Sequence, residues 1–529
     1  MVRGSMPRYR FLALAGLTAA LAGGTAVASP VYPGCPEPPA SGGRSFWVDP
    51  IHGSDAGDGS RIHPWRTLEE VVADGRFVTA PAIVRRDAVS HWMAKLGIAG
   101  LAQSRSRGVI QPGDTVWLMS GDQGAVKLQG YYGKGDTLLG YDNPQFITIA
   151  AAPGQTPVLR RLQVLGGRRW AFRGLTVESL NDTGQFAAGG TVGQDYALVM
   201  FTGPHSDIIF DGNTLRSAAN VRAWSLDDWR RKRASGVVDR DGACVAITNN
   251  ALTNVGNGFQ TQSSNRVLIE NNTIDHFSDD GIDYGSSNLR IAHNRITNSI
   301  EDGDGIHRDG MQGQPGRPFT QQAIAENIEI SDNTVIRIAD PGLERPGILQ
   351  GIDAFDGVWK NVRVTNNVVI VDAWHGISFY GVHGALISGN IVLADSGRVL
   401  PCSRVSFEAC VTKKVVTDLS THPQIVVNWS KIRVPSSDVV IKGNITNGIG
   451  VDKRTLNVSV TDNLCIVTTT KCTIGIPVGN TMIWANNPGE YGQHNVIPMF
   501  DARGLFVSYD PRLARYELKL KRANPAVSR

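Results

Sequence analysis

The amino-acid sequence predicts an all-β fold, a single-stranded right-handed parallel β-helix with short helical insertions. Three observations predict it. A template of apolar, x, apolar, x, x, Asn, x, apolar recurs, as in Val267-Leu-Ile-Glu-Asn-Asn272-Thr-Ile and Leu289-Arg-Ile-Ala-His-Asn294-Arg-Ile. Its asparagines fall at 213, 250, 272, 294, 333, 367, 390, 444, 463 and 487, a basic step near 22 residues lengthened by insertions. Each step holds short alternating apolar runs, the period of a strand, broken by Asn and Gly, the residues of turns. Such a step is one coil of a solenoid whose strands pair with the coils above and below. An Asn at one fixed corner can stack its amides in a hydrogen-bonded ladder and tolerate left-handed geometry at the bend.

Composition agrees with a folded chain. Of 529 residues, 59 are Gly and 26 Pro, too few for a collagen-like or low-complexity chain, and 41% are hydrophobic, too many for a disordered one. Lys and Arg exceed Asp and Glu by 52 to 48. That surplus is too small to imply a nucleic-acid partner and leaves an acidic polymer open.

In chain order, Arg3, Arg8 and Arg10 precede the apolar run Phe11 to Val27, and Ala26-Val27-Ala28 offers small residues for cleavage. Residues 1–28 therefore read as a signal peptide cut after Ala28, which predicts an exported protein, periplasmic or secreted. Residues 29–43 read as a linker and 44–526 as the β-helix domain. No later apolar stretch is long enough to cross a membrane, so no membrane insertion is expected. Export permits disulfides: Cys402 with Cys410 and Cys465 with Cys472 are close in sequence, leaving Cys35 with Cys244. A capped solenoid with blocked lateral surfaces is expected to be a monomer.

Beyond the Asn template, several segments carry a family likeness. They are Phe46-Trp-Val-Asp-Pro-Ile-His-Gly-Ser-Asp-Ala-Gly-Asp-Gly-Ser60, Gly113-Asp-Thr-Val-Trp-Leu, Ile147-Thr-Ile-Ala-Ala-Ala-Pro-Gly and the closing Tyr516-Glu-Leu-Lys-Leu. In these the chain resembles the secreted right-handed parallel β-helix proteins that include pectin-lyase-like polysaccharide lyases, glycoside hydrolases and uronan epimerases. The resemblance implies a carbohydrate-active enzyme with a polysaccharide substrate, and an acidic face with interspersed Arg makes a uronate-containing one the expectation. It specifies architecture more than chemistry. Asp279-Asp280-Gly-Ile and His375-Gly-Ile-Ser look like elements of polygalacturonase-like hydrolases, but 95 residues separate them and Trp374 replaces the first Gly of the Gly-His-Gly element.

Insertions are expected at about 81–103, 217–241 and 311–326. The first reads as a helix with His91, Trp92, Met93 and Leu96 on its apolar face. In the second, Ser225-Leu-Asp-Asp228 reads as the cap of a short helix ending in Arg230-Arg-Lys-Arg233, with Trp224 and Trp229 beside it. The third begins beside the candidate site and reads as a cleft wall.

The site reading aligns the x-Gly-apolar core of successive coils: Asn257-Gly-Phe, Asp280-Gly-Ile, Asp304-Gly-Ile, Gln350-Gly-Ile and His375-Gly-Ile. Side chains one and three positions after the apolar residue then point outward. One exposed column holds Gln260, Asp283, His307, Asp353 and Ser378, the next Gln262, Gly285, Asp309, Phe355 and Tyr380. Asp is disfavoured in strands and like charges repel across a ladder, so a bound Ca²⁺, a raised carboxyl pKa or a basic partner should offset the repulsion. For β-elimination, the favoured reaction, His307 is the candidate base, Arg308 the neutraliser, Tyr380 the acid, with Asp309 beside them and Asp280, Asp283, Asp304 and Asp353 as Ca²⁺ ligands. Gln260, Gln262, Trp374, His375 and Trp229 are candidate substrate contacts. A hydrolase would instead use two of the aspartates as acid and base. A non-catalytic glycan-binding β-helix, with Trp359, Trp374 and Tyr380 as stacking surfaces, is the third reading. No organic cofactor is expected.

Overall fold

The computed structural model describes residues 31–38, 43–78, 80–83, 108–129, 139–179, 197–303, 307–315, 323–340, 342–395, 423–465, 474–478, 481–485, 508–510 and 515–517. The strands stack as a sheet of 23 and a sheet of 12, and from Thr115 to Gly475 neighbouring coils pair in parallel. Long strands such as Phe259–Glu270 serve two faces. Its first half pairs with Ile282–Gly285 and its second with Ser287–Ala292, with a break in register between Gln262 and Asn265. The 12-stranded sheet closes each coil through short strands such as Thr273–Phe277 and Arg295–Ser299.

Inside, each coil contributes inward residues to one continuous apolar core that includes Phe259, Ile282, Met311, Ile352 and Ile377. The glycine of the x-Gly-apolar motif has a steric cause. A Cβ at Gly281 would stand 2.5 Å from the Gly310 carbonyl oxygen and 2.7 Å from Ile296 Cγ2; at Gly310 it would meet Val335 Cγ1 at 2.4 Å. The start of each strand presses on the branched side chains of the opposite sheet.

Nine of the ten predicted asparagines form one unbroken ladder. The Nδ2 of each donates to the next Oδ1 at 2.9–3.0 Å, from Asn213 through Asn250, Asn272, Asn294, Asn333, Asn367, Asn390 and Asn444 to Asn463. The second amide hydrogen is used as well, as where Asn272 Nδ2 donates to the Ile247 carbonyl at 2.9 Å. Left-handed backbone falls one residue earlier than expected, at Asn249, Asn271, His293, Asp332 and Asn366. The preceding residue makes the bend, and the ladder side chain stays free to point along the stack. Asn487 lies outside the described residues. A second, exposed ladder, unforeseen in the sequence, joins Asn265, Asn288, Asn327 and Asn361 at another corner.

Cys35 and Cys244 form a disulfide. It fastens the segment 31–38 across the flank, where Val31 and Tyr32 pack on Phe146, Ala171, Ile209, Ala246 and Leu268. Cys402, Cys410 and Cys472 lie outside the described residues, and with them the pairings of Cys402 with Cys410 and of Cys465 with Cys472, as does the signal peptide. Among the described residues no helix is long and apolar enough to cross a membrane.

The second and third insertions are shorter than predicted. Ala80–Ile83 is a strand antiparallel to Leu139–Asp142 and so stands apart from the parallel pairing of the coils, and residues 84–103 of the first predicted insertion lie outside the described residues. A helix does form at Leu226–Lys232, with Ser225 and Asp228 making a reciprocal capping box. Ser235–Arg240, however, belongs to the solenoid. Likewise Met311–Gly313 is strand paired to Ile282–Tyr284, and the chain rejoins the stack at Ile324.

Candidate active site

The coil after Asp283 is not the one the motif alignment chose. Ile282 pairs with Met311 and Asp283 with Gln312, while Met311 and Gln312 pair with Ile352 and Asp353. Asp309-Gly310-Met311 is therefore the coil core, five residues beyond Asp304-Gly-Ile. One column now reads Gln260, Asp283, Gln312, Asp353, Ser378. The column before the glycine reads Asn257, Asp280, Asp309, Gln350, His375, and the outer one Gln262, Gly285, Gln314, Phe355, Tyr380. His307 thus leaves the column of Asp283, and Asp309 joins Asp280 instead of Tyr380.

The columns are also covered, not exposed. Asp309 and Asp353 have no accessible surface, and Gln260, Gln262, Asp280, Asp283, Gln350 and His375 are buried. Side chains three apart meet across the bend: Gln312 Nε2 donates to Asp309 Oδ2 at 2.7 Å, and His375 Nδ1 lies 2.7 Å from Ser378 Oγ. Across coils, Gln260 Nε2 donates to Asp283 Oδ2 at 2.8 Å and the Asp309 amide to Asp280 Oδ1 at 2.8 Å. The Gln350 amide, its nitrogen turned to the carboxyls, donates to Asp309 Oδ1 and Asp353 Oδ2 at 3.3 Å each. Its oxygen accepts from His307 Nδ1 at 3.3 Å. His307 Nδ1 also lies 3.3 Å from Asp309 Oδ1. Asp283 Oδ1, Asp353 Oδ1 and Gln262 Oε1 are buried without a protein partner, three acceptors on the same face.

Burial governs the protonation of this face. It raises Asp280 well above the usual carboxylate range, reinforced by Asp283, Asp309 and Asp279. It pushes Asp283 up to about 7, although hydrogen bonds from Asp280 and Gln260 act the other way. Burial likewise raises Asp353 strongly. Asp309 is raised too, but His307 and Gln312 counter the effect by hydrogen bonding its charged form. His307 is itself raised by Asp309. Desolvation pushes His375 down to about 3, so its imidazole is neutral. Burial also raises the Tyr380 phenol. The face therefore holds one carboxyl pair that keeps a proton near neutrality, Asp280 with Asp283, beside Asp309, whose rise His307 and Gln312 limit by hydrogen bonding its charged form.

Several predicted roles change. Arg308 is sealed inside, with only 1% of its side chain accessible, bonded to the Ser278 carbonyl and paired with Glu301 and Asp302; it cannot turn outward to neutralise a substrate. Arg233, at the end of the Leu226–Lys232 helix, shares Asp302, reaches Asp279 at 3.5 Å and fixes that helix against the coils. Trp229 is buried against Trp224 and Ile300 and offers no stacking surface. Trp359 is wholly buried against Tyr284. Trp374 is half-buried and lies tilted against His375, their ring centres 3.6 Å apart, and Phe355 stands 4.6 Å from His375 and 5.0 Å from Tyr380, giving an aromatic wall. Asp304 lies outside the described residues. Among the described residues no three acidic, His or Cys side chains converge on a metal position, and Asp304, one of the four candidate Ca²⁺ ligands, is not among them.

Three residues given no site role from the sequence stand here. Gln312 and Gln350 bind the carboxyls, and Lys431 arrives from the distant loop after Asn428, its Nζ 2.9 Å from Asp356 and 6.0 Å from the Phe355 ring. Gln312 was within reach of the sequence, because Asp309-Gly310-Met311 also satisfies the motif. Nothing local signals Lys431.

Residues 162–400 match the family model described as "Right handed beta helix region". With the stacked parallel coils, this makes the chain a right-handed parallel β-helix protein, and the matched segment holds the columns from Ser235 to Tyr380. Solved structures similar to it include a GH136 lacto-N-biosidase from Eubacterium ramulus, at 12% identity over 86% of this chain and 68% of that one, TM-score 0.40. Pectate lyase Pel9A is 15% identical over 90% and 85%, TM-score 0.31. PfbA, a surface adhesin of Streptococcus pneumoniae, is 11% identical over 66% and 82%, TM-score 0.36. No curated protein matches the sequence. The likeness is one of architecture and leaves the chemistry to the side chains.

Proposed function

We propose that the protein is an exported glycoside hydrolase that cleaves a polysaccharide with two carboxyl groups, Asp283 and Asp309, in different hydrogen-bond surroundings on one covered face. The observation that carries this is that Asp283, pushed up to about 7 by burial and bonded by Gln260 at 2.8 Å, shares the face with Asp309, which Gln312 bonds at 2.7 Å and His307 approaches at 3.3 Å, contacts that favour its charged form against the rise that burial causes. Asp283 gives its proton to the glycosidic oxygen as the bond from that oxygen to the anomeric carbon breaks. Asp309 stabilises the positive charge growing on that carbon and takes a proton from the water that adds there. Asp280 shares the Asp283 proton, and the buried acceptors of Gln262 and Asp353 suit sugar hydroxyls. The Cys35–Cys244 disulfide supports export. Elimination is less well supported, because Arg308 is committed to Glu301 and Asp302.

The test reads two signals from one digest of the purified protein with a panel of polysaccharides. Hydrolysis raises reducing ends without ultraviolet absorbance from an unsaturated uronate. A rise in both would replace hydrolysis by elimination, and no rise in either across the panel would favour the non-catalytic glycan-binding reading.

A further inference from the structure

The carboxyl face ends abruptly on one side. Two coils beyond Asp353, the outer column passes from Tyr380 to Asn428, and the chain then forms the loop Trp429–Ser436. The loop is closed by its own hydrogen bonds: Ser430 N to the Val434 carbonyl at 2.8 Å, Arg433 N to the Ser430 carbonyl at 2.8 Å, and Val434 N to Ser430 Oγ at 3.0 Å. Ser430 is buried, and Ser436 Oγ ties the loop base to the Asn428 carbonyl at 2.6 Å. Three side chains are thereby presented in a fixed arrangement. Trp429 is half-buried, with Arg454 stacked 3.1 Å from its ring centre and Arg433 at 6.0 Å. Arg433 is exposed and adopts a left-handed backbone with φ 66°, which turns it toward that ring. Lys431 reaches back over Phe355 toward His307 and Asp309, whose charges it influences.

Arg454 is occupied by Asp452, with two contacts of 2.7 Å. Among the described residues Lys431 pairs with Asp356, its side chain 55% accessible, and an exposed pair of this kind is weak enough to be exchanged for a ligand anion. A planar aromatic edge beside two accessible cations, on a loop needing little ordering, is suited to a sugar ring that carries a negative group.

We propose that Trp429, Lys431 and Arg433 form a binding position for an anionic sugar residue, with Lys431 contacting the carboxylate or sulfate. The proposal deepens the hydrolase reading by assigning the charged part of the substrate to this end of the face, and it rests on that face being a glycan cleft.

Binding is measured by calorimetry on the Asp283→Asn protein, so that turnover does not interfere. The probes are oligogalacturonate, a sulfated galactan oligosaccharide and a neutral xylo-oligosaccharide, at low and high salt. Lys431→Gln is expected to weaken binding of at least one anionic probe about tenfold, to reduce its salt dependence, and to leave the neutral probe unchanged. Carboxylated and sulfated probes distinguish which anion is read. Lys431→Arg keeps the charge and should retain most of the affinity. The proposal is overturned if neither anionic probe binds, if Lys431→Gln leaves anionic binding intact, or if it weakens neutral and anionic probes alike. Because no arm requires turnover, loss of anionic binding in a protein whose wild type cleaves nothing would refute the hydrolase reading and keep this site.

Discussion

The asparagine corner and the aspartate face are built on the same coils, yet they solve opposite problems. An amide both donates and accepts, so each Asn in the ladder satisfies its neighbour and the column closes on itself from Asn213 to Asn463. A carboxylate only accepts. Asp283 and Asp353 therefore each keep a buried oxygen without a protein partner, and the column can be satisfied only by protons, by Gln side chains between the rungs, or by a ligand. The repeat that perfects structure at one corner leaves an unmet requirement at the other, and the unmet requirement is where chemistry is available.

The largest expected effect breaks the aspartate side. Asp283→Asn and Asp309→Asn should each lower turnover roughly 10²–10⁴-fold while the circular dichroism spectrum stays that of the wild type, since the amide keeps the shape and loses the proton or charge. A normal rate in either variant, on a substrate the wild type cleaves, would remove that residue from the reaction. The corresponding break on the other side is Asn272→Leu. It strips partners from Asn250 and Asn294 and should cost about 2–5 kcal/mol in urea unfolding, with little change in the affinity for substrate.

The comparison sharpens with pH. Asp283 is raised in the folded state, so its favourable contribution is complete below the unfolded pKa of about 3.9 and is lost as pH rises through about 7. Asp283→Asn should therefore gain stability relative to wild type across that window, whereas the Asn272→Leu deficit should be flat with pH. A flat Asp283→Asn difference would show that the carboxyl is not proton-bearing. Turnover should fall on the same alkaline limb, and on the acid side as Asp309 takes a proton. The smallest effect is none: chelation with EGTA should leave turnover unchanged, because among the described residues no three acidic, His or Cys side chains converge on a metal position.

Legibility followed the same divide. The ladder was readable because one residue type recurs at one corner and its partners are copies of itself. The aspartate face was half-readable. Asp280, Asp283 and Asp353 fell where the motif put them, but Asp304-Gly-Ile and Asp309-Gly-Met satisfy the motif equally. The spacing nearer one coil pointed to the first, and the odd slip of five residues changed which side chains share a face. Whether Trp229, Arg308 and Lys431 face a substrate was not readable, because Ile300, Ser278 and Asp356, which help to hold them, stand on other coils. An arginine beside an aspartate looks the same in sequence whether it greets a substrate or, like Arg308, is locked to Asp302 and Glu301.

Adjacent rungs of the asparagine ladder are separated by as few as 19 residues, between Asn444 and Asn463, and as many as 54, between Asn390 and Asn444, yet the link has the same length. The entropy of closing a flexible loop grows only with the logarithm of its length, so a 54-residue excursion costs about 0.8 kcal/mol more than a 22-residue one, roughly one hydrogen bond. The ladder therefore works as a clamp indifferent to how much chain leaves between its teeth. New loops can be inserted into this protein at almost constant thermodynamic cost, and the coil on either side remains in register.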